Sequence, residues 1–369
     1  MLRQDVPIKA MMCSRAAEKK IPISGSFELT PRCSLNCKMC YIRMTPEQMK
    51  PLGTERTAQE WISMAQQAKN AGMVFLLLTG GEPLLRADFK PLYSELSKMG
   101  FSIDINTNGT LIDEEMVEFL HNNPPARLNI TLYGANSETY QRLCGDANAF
   151  DRVVFAIDAL RAAGLLVSLN ATITPENVCD TEKIVEFAKS RGLNLKLTSL
   201  VIPPMRRGTQ ETAHRLSAED AAMAAAHAHL RYFGKDAIQA RLQNLKTGIP
   251  DTSLLDDCVQ TGESGTGCLA GNSQFWIAWN GEMYPCCMMP QISVRPFETG
   301  FDAAWEQIVQ ESARVQRTPQ CVSCELRPFC PSCAALQYRE TDGNPSIRPE
   351  YLCKMTAVYC SALKNLIQE

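Results

Sequence analysis

Between residues 23 and 201, six short apolar runs alternate with amphipathic segments, and this alternation restricts the possible folds more than any other feature. Strand-length runs occur at Ser24–Thr30, Met73–Leu78, Phe101–Asn106, Arg127–Tyr133, Leu166–Thr172 and Leu193–Val201. Helical patterns separate them at Thr57–Ala71, Asp88–Lys98, Asp113–Asn122, Phe150–Ala163 and Thr181–Ser190. A strand, a helix and another strand of this kind form a parallel unit with a right-handed crossover. Six units predict an α/β fold, a partial (β/α)6 TIM-like barrel with too few strands to close in the eight-stranded way. Chemistry is expected at the C-terminal ends of its strands, where the connecting loops converge.

The remainder of the chain reads differently. A turn-rich stretch, Ile202-Pro-Pro-Met-Arg-Arg-Gly208, leaves the sixth run, and an alanine-rich helix follows over Ser217–Phe233. Ser217 is placed to cap it, with Asp220 in the capping-box position. Lys246–Gly267 is rich in Gly, Thr, Ser and Asp and reads as a linker. Nine of the sixteen cysteines then fall between Cys258 and Cys353, with helical patterns at Ala303–Arg314 and Cys353–Gln368. The expected division is an N-terminal extension (1–22), the barrel (23–210), bridging helices and linker (211–257), and a small domain folded around metal (258–369).

Composition excludes several classes. A hydrophobic content of 45% is ample for a large core, and a net charge of −3 offers no basic surface to nucleic acid or an anionic membrane. No run approaches ~18 uninterrupted apolar residues, and the start, MLRQDVPIKAMM, has no signal-peptide core, so a cytoplasmic location is expected. In a reduced cytosol the sixteen cysteines read as metal ligands rather than disulfides.

Directly after the first run comes Thr30-Pro-Arg-Cys-Ser-Leu-Asn-Cys-Lys-Met-Cys-Tyr41. Cys33, Cys37 and Cys40 can hold three irons of a 4Fe–4S cube, while the next cysteines along the chain are Cys13 and Cys144. An iron left with an open position binds and activates a small molecule, whereas a fully ligated cluster passes electrons. Zinc favours four closed ligands and C-x2-C pairs, which suits this spacing poorly.

The spacing resembles the signature of the radical S-adenosylmethionine enzymes. That family carries an aromatic residue before the last cysteine; here Met39 takes that place and the aromatic residue follows as Tyr41. Leu78-Thr-Gly-Gly-Glu-Pro83 is similar to the family's GGEP motif. The resemblance implies that Gly80, Gly81 and Pro83 let the backbone approach the cofactor and that Glu82 receives its ammonium group. Asn106-Thr-Asn-Gly109 resembles the TNG turn near the ribose, which places Asn108 at the cofactor. Ile130-Thr-Leu-Tyr-Gly134 stands at the family's strand-four motif, with Thr131 as a cofactor-binding hydroxyl. Arg142 resembles an arginine that contacts the cofactor carboxylate, and Asn170 and Thr172 either line the cavity or cap the core. The implied chemistry is reductive cleavage of S-adenosylmethionine to a 5′-deoxyadenosyl radical that abstracts a substrate hydrogen, fed by a flavodoxin- or ferredoxin-type electron donor.

The later cysteines, Cys268-x12-Gly281-x4-Cys286, Cys321-x2-Cys324-x5-Cys330-x2-Cys333 and Cys353, resemble the SPASM extension of such enzymes, with one residue fewer than usual between the last pair of the central group. Two auxiliary 4Fe–4S clusters are implied, making three in all. Cys258, Cys268, Cys286 and Cys333 are the ligands carried over for the first, and Cys321, Cys324, Cys330 and Cys353 for the second. A zinc-ribbon-like domain is the alternative that two C-x2-C pairs also allow. Gln274–Trp279 with Asn280 and Gly281 resembles the extension's hairpin. Cys287 stands where sulfatase-maturing relatives carry a basic aspartate, which makes it the candidate catalytic group, as hydrogen donor, proton acceptor or iron ligand in place of Cys286; the plain alternative is a packed thiol. Cys13, Cys144, Cys179 and Cys360 have no motif and are expected to be buried.

The family resemblance implies a peptide or protein substrate, modified by oxidation, thioether or carbon–carbon crosslinking, or epimerisation. About 23 residues precede the first run, too few for the peptide-binding domain with which many such enzymes begin, so a separate leader-recognition protein or a short substrate segment is expected. Alternatives are dehydrogenation of a small molecule, tailoring of a tetrapyrrole, and a non-catalytic iron–sulfur electron carrier.

Overall fold

The computed structural model describes residues 8–203, 214–246, 265–344 and 346–368. Cys258, most of the expected linker and most of the turn-rich exit lie outside them.

Six parallel strands form in the expected order: β1 (Ser24–Glu28), β2 (Phe75–Thr79), β3 (Ser102–Thr107), β4 (Arg127–Thr131), β5 (Val167–Thr172) and β6 (Asn194–Thr198). Side chains alternate between two faces of the sheet. Phe27, Leu76, Leu78, Ile103, Ile105, Leu128, Ile130 and Leu169 are buried against the helices. On the opposite face Ser26, Glu28, Thr79, Asp104, Asn106, Asn129, Thr131, Asn170 and Thr172 make a polar inner wall, where Asn129 Nδ2 donates to Asn106 Oδ1 at 2.9 Å. The sheet thus has an apolar outer face and an inner face that is mostly polar, with Phe75 and Leu77 among its residues.

The helices begin where capping side chains stand. Thr57 and Glu60 form a reciprocal capping box for Ala58–Asn70, and Asp113 and Asn136 cap Glu114–Asn122 and Ser137–Cys144. The first of these helices lays Trp61 on Phe27 of β1, ring centroids 4.8 Å apart.

The cysteine-rich region does not stand apart from this sheet. β7 (Gln274–Ile277) pairs in parallel with β1, and β8 (Met283–Tyr284) pairs antiparallel with β7. The sheet therefore runs β6-β5-β4-β3-β2-β1-β7-β8, and the expected hairpin is its continuation. Gly25 makes the junction possible: a Cβ there would lie 2.5 Å from the Phe275 ring, which packs on Phe301 and Trp305.

The N-terminal extension is a helix, Ile8–Glu18, with no clear apolar stripe in its sequence. It buries Cys13, Ala16 and Ala17 against Ile23 and Leu269, and Lys9 reaches Asp104 of β3 at 3.5 Å. The helix thus closes the end of the barrel opposite the cysteine loop. At the other edge, Ala218–Phe233 packs along Glu350–Gln368 through Ala226, Ala362 and Leu363.

Candidate active site

Three strand ends build the site. The loop after β1 carries Cys33, Cys37 and Cys40, and its start is held by a charged clamp. Glu55 accepts from Thr30 Oγ1 at 2.5 Å and from Arg32 Nε and Nη2 at 2.7 and 2.9 Å. Buried Arg86 donates to the Leu29 carbonyl at 3.0 Å. The loop after β2 runs against that same backbone. Gly81 N–H donates to the Thr30 carbonyl at 2.7 Å and Glu82 N–H to the Arg32 carbonyl at 2.8 Å. A Cβ on Gly80 or Gly81 would sit 2.3 Å from the carbonyl oxygen of Thr30 or Arg32, so both glycines serve the approach of one loop to the other.

Glu82 is fully buried and binds its own chain. Oε1 accepts from Leu84 N–H at 3.1 Å and the Thr107 hydroxyl at 2.9 Å, and Oε2 accepts from Asn108 N–H at 2.7 Å. It ties the end of β2 to the turn after β3, with Pro83 opening the 3₁₀ turn that Glu82 caps. Burial pushes this carboxyl up to about 7 against those three hydrogen bonds. Asn108 completes the triangle by donating from Nδ2 to Ser34 Oγ at 3.0 Å and to Cys33 Sγ at 3.4 Å.

The thiols are set up as ligands. Leu35 N–H points at Cys33 Sγ (3.4 Å), Arg43 N–H at Cys40 Sγ (3.3 Å) and Met288 N–H at Cys286 Sγ (3.3 Å). Amide donors to sulfur are the contacts that iron–sulfur sites use to stabilise charge. Burial pushes the Cys33 thiol up to about 12 and Cys333 to about 11, so a positive metal centre is what makes thiolates favourable there. The residues fit the iron–sulfur chemistry that the spacing implies.

The later cysteines gather as two groups. The neighbouring Cys287 thiol first, then burial, raises Cys286, with Cys333 contributing less, and burial first, then Cys268, raises Cys333. Cys321, Cys324, Cys330 and Cys353 line one cavity with Arg327 and Arg348. Among the described residues no three His, Cys, Asp or Glu side chains converge at the spacing of a single ion.

Tyr41 and Cys287 join the two regions. The Tyr41 hydroxyl lies 3.9 Å from Cys287 Sγ, and Cys287 packs on a cluster of Met44, Trp276, Ala278, Trp279 and Tyr284. Cys286 hydrogen-bonds Cys287, so the two adjacent cysteines share one neighbourhood. Thr131 ends β4 on the inner face opposite Asn170. The Arg142 guanidinium donates to the Glu176 carbonyl from Nε and Nη2 at 2.9 and 2.7 Å, holding the loop after β5.

Several residues at the site had no signal in the sequence. Fully buried Glu28 accepts from Trp276 Nε1 at 3.0 Å, and the Tyr133 hydroxyl and the Cys144 thiol both reach Cys37. Their partners are distant in sequence, so no local pattern marks them. The expectation of four buried motif-free thiols needs one correction: Cys13, Cys144 and Cys360 are buried, but Cys179 is exposed. It sits in a 3₁₀ turn, Val178–Asp180, where only Asp180 points inward.

Residues 27–188 match the Radical SAM superfamily. The chain is 27% identical over 334 residues to the AdoMet-dependent heme synthase of Methanosarcina barkeri, covering 86% of this chain and 92% of that protein. It is 28% identical over 171 residues to the PqqA peptide cyclase of Granulibacter bethesdensis, covering 46% and 45%. The structure of Streptococcus suis SuiB bound to precursor peptide SuiA matches with a TM-score of 0.67 at 18% identity, over 93% of this chain and 80% of that one. That likeness establishes a shared fold. No helix among the described residues is long and apolar enough to cross a membrane.

Proposed function

We propose that this radical enzyme modifies a ribosomally made peptide or protein, with SPASM-type auxiliary clusters behind the substrate and Cys287 as the protein's own reactive group. The observation that carries the reading is the Tyr41–Cys287 contact at 3.9 Å, which sets a thiol of the cysteine-rich region against the loop of the cysteine triad. The peptide cyclase and the peptide-bound neighbour support a peptide as substrate.

When bound, the triad's cluster and S-adenosylmethionine supply hydrogen abstraction from C–H bonds that acids and bases leave intact. The chain does the rest. Asn108 and the amides of Leu35 and Arg43 hold the triad's sulfurs, and Glu82 locks β2 to β3 beneath them. Thr131, Asn170 and Thr172 offer the inner wall's polar groups to cofactor and substrate. Met44, Trp276 and Trp279 keep water from the thiol. Cys287 would accept the substrate proton in a net oxidation, for which a cluster held by the later cysteines would be the electron acceptor, or would return a hydrogen atom in an epimerisation. A flavodoxin- or ferredoxin-type donor would supply the first electron.

A second reading, tailoring of a tetrapyrrole, is favoured by the heme synthase relative, whose match spans nearly both chains. The test is anaerobic turnover with a candidate precursor peptide and with a carboxylated tetrapyrrole, following deuterium transfer from labelled substrate into 5′-deoxyadenosine. Transfer from the peptide supports the first reading, and transfer from the tetrapyrrole alone replaces it. Cys287→Ala should keep its iron content while product formation falls by at least about tenfold, the scale of lost acid–base assistance. Unaltered turnover removes the role of Cys287.

A further inference from the structure

The two sides of β7 serve different ends. Its register pairs Ser26 with Trp276, so Trp276 stands on the inner side of the sheet with Ser26 and Glu28, while Phe275 faces outward to Phe301 and Trp305. On the inner side the fully buried Glu28 accepts from Trp276 Nε1 through Oε2 at 3.0 Å. The indole belongs to a buried cluster with Met44, Ala278, Trp279 and Tyr284, and Cys287 packs on that cluster. Met44 comes from the stretch after the cysteine triad, where its N–H donates to the Pro31 carbonyl at 3.0 Å. One wall, reaching from the barrel interior to the triad loop, therefore carries the thiol that stands 3.9 Å from the Tyr41 hydroxyl.

A side-chain bond between neighbouring strands can be a structural staple and nothing more. This hairpin, however, is fastened at other points. β7 pairs with β1 over four residues, Phe275 packs on two aromatic rings, and Arg56 donates from Nε and Nη2 to the Asn280 carbonyl at 3.2 and 3.0 Å. The Arg56 N–H also donates to the Trp279 carbonyl at 3.1 Å. A buried carboxylate is costly to desolvate, and an apolar side chain would join two strands at least as well. What the carboxylate adds is direction, since accepting the indole N–H fixes how the ring lies. We propose that Glu28 is a positioning residue: by fixing the Trp276 indole it sets the wall on which Cys287 packs, and with it the place of that thiol against the substrate. Glu28 is itself buried away from the substrate and acts through Trp276. The inference rests on the reading of Cys287 as the reactive group.

Alkylation of Cys287 by iodoacetamide, mapped by mass spectrometry in the iron-loaded full-length protein, reads the wall without turnover. Glu28→Met keeps the length and removes the acceptor, Trp276→Phe keeps an aromatic ring and removes the donor, and Glu28→Gln keeps an acceptor oxygen. At unchanged iron content, Glu28→Met and Trp276→Phe should each speed alkylation at least about threefold as the wall loosens. With the candidate substrate that turns over, both should also raise the ratio of 5′-deoxyadenosine to product at least about threefold, because a misplaced thiol misses its substrate. Glu28→Gln should lie closer to the native protein than Glu28→Met in both readouts. A mere staple would lower the melting temperature and leave both readouts native, so native values in Glu28→Met and Trp276→Phe overturn the proposal. A Glu28→Gln protein that coincides with a shifted Glu28→Met protein overturns it as well. Trp276→Phe decides the matter if Glu28→Met loads poorly. If Cys287→Ala turns over as the native protein does, or if Cys287 reacts only in iron-free protein, the reading of Cys287 fails and the inference with it. Native readouts in the variants of an enzyme that Cys287→Ala disables overturn the inference alone.

Discussion

A single carboxylate shows how far residue-level reasoning reaches. Gly-Gly-Glu-Pro marks Glu82 as a site residue, but its partners, Thr107 and Asn108, come from a different strand end. The sequence suggests an acid waiting for an ammonium group; the fold shows one that already accepts three hydrogen bonds. Its carboxyl lies at about 7 in the fold, above the usual 4.5, because burial outweighs those bonds. A raised acid favours the protonated fold, so its contribution to stability is full below 4.5 and is lost as pH rises through 7. Metal-free protein should lose on the order of 3 kcal/mol from this group across that window. Glu82→Gln should remove that pH slope while costing about 1–3 kcal/mol overall, since its amide nitrogen faces the Asn108 N–H. Urea midpoints at pH 5 and pH 8 measure both, and a slope retained in the variant would contradict the assignment.

Elements were more legible than their contacts. The five helices that the pattern marks between the barrel strands begin and end within a residue or two of it, because apolar periodicity and capping residues are local signals. The alanine-rich helix Ala218–Phe233 was also clear, but not its partner, Glu350–Gln368. Where they meet, His229 Nδ1 lies 2.8 Å from the Tyr359 hydroxyl. Burial first, then the nearby Arg241 guanidinium, pulls the imidazole down to about 4 from 6.5. Here the sign is reversed: the stability is present above pH 6.5 and is lost as pH falls through 4. His229→Phe should flatten the acid limb of the stability profile by up to roughly 3 kcal/mol. Thermal melts between pH 4 and 7 check this, and an unchanged acid limb would mean that the imidazole is not the group responsible.

On the scale of the whole molecule, the barrel and the cysteine-rich region share one sheet. β7 covers the edge of β1, and Phe275 carries the contact to Phe301 and Trp305. A chain cut after residue 246 leaves that edge bare, and unpaired parallel edges invite aggregation. Such a fragment should be insoluble or should unfold without a cooperative transition; a soluble monomer with a sharp melt would show that the barrel folds independently. The sequence by itself determined the strand and helix order, the loop bearing Cys33, Cys37 and Cys40, and the cysteines that gather behind it, since each is written in spacing along the chain. Only the tertiary structure decided that Glu82 ties β2 to the turn after β3, that Cys287 meets Tyr41, and that Tyr133 and Cys144 lie against Cys37. Those pairings join residues far apart in the chain, and local periodicity carries no information about which distant side chains share a buried space.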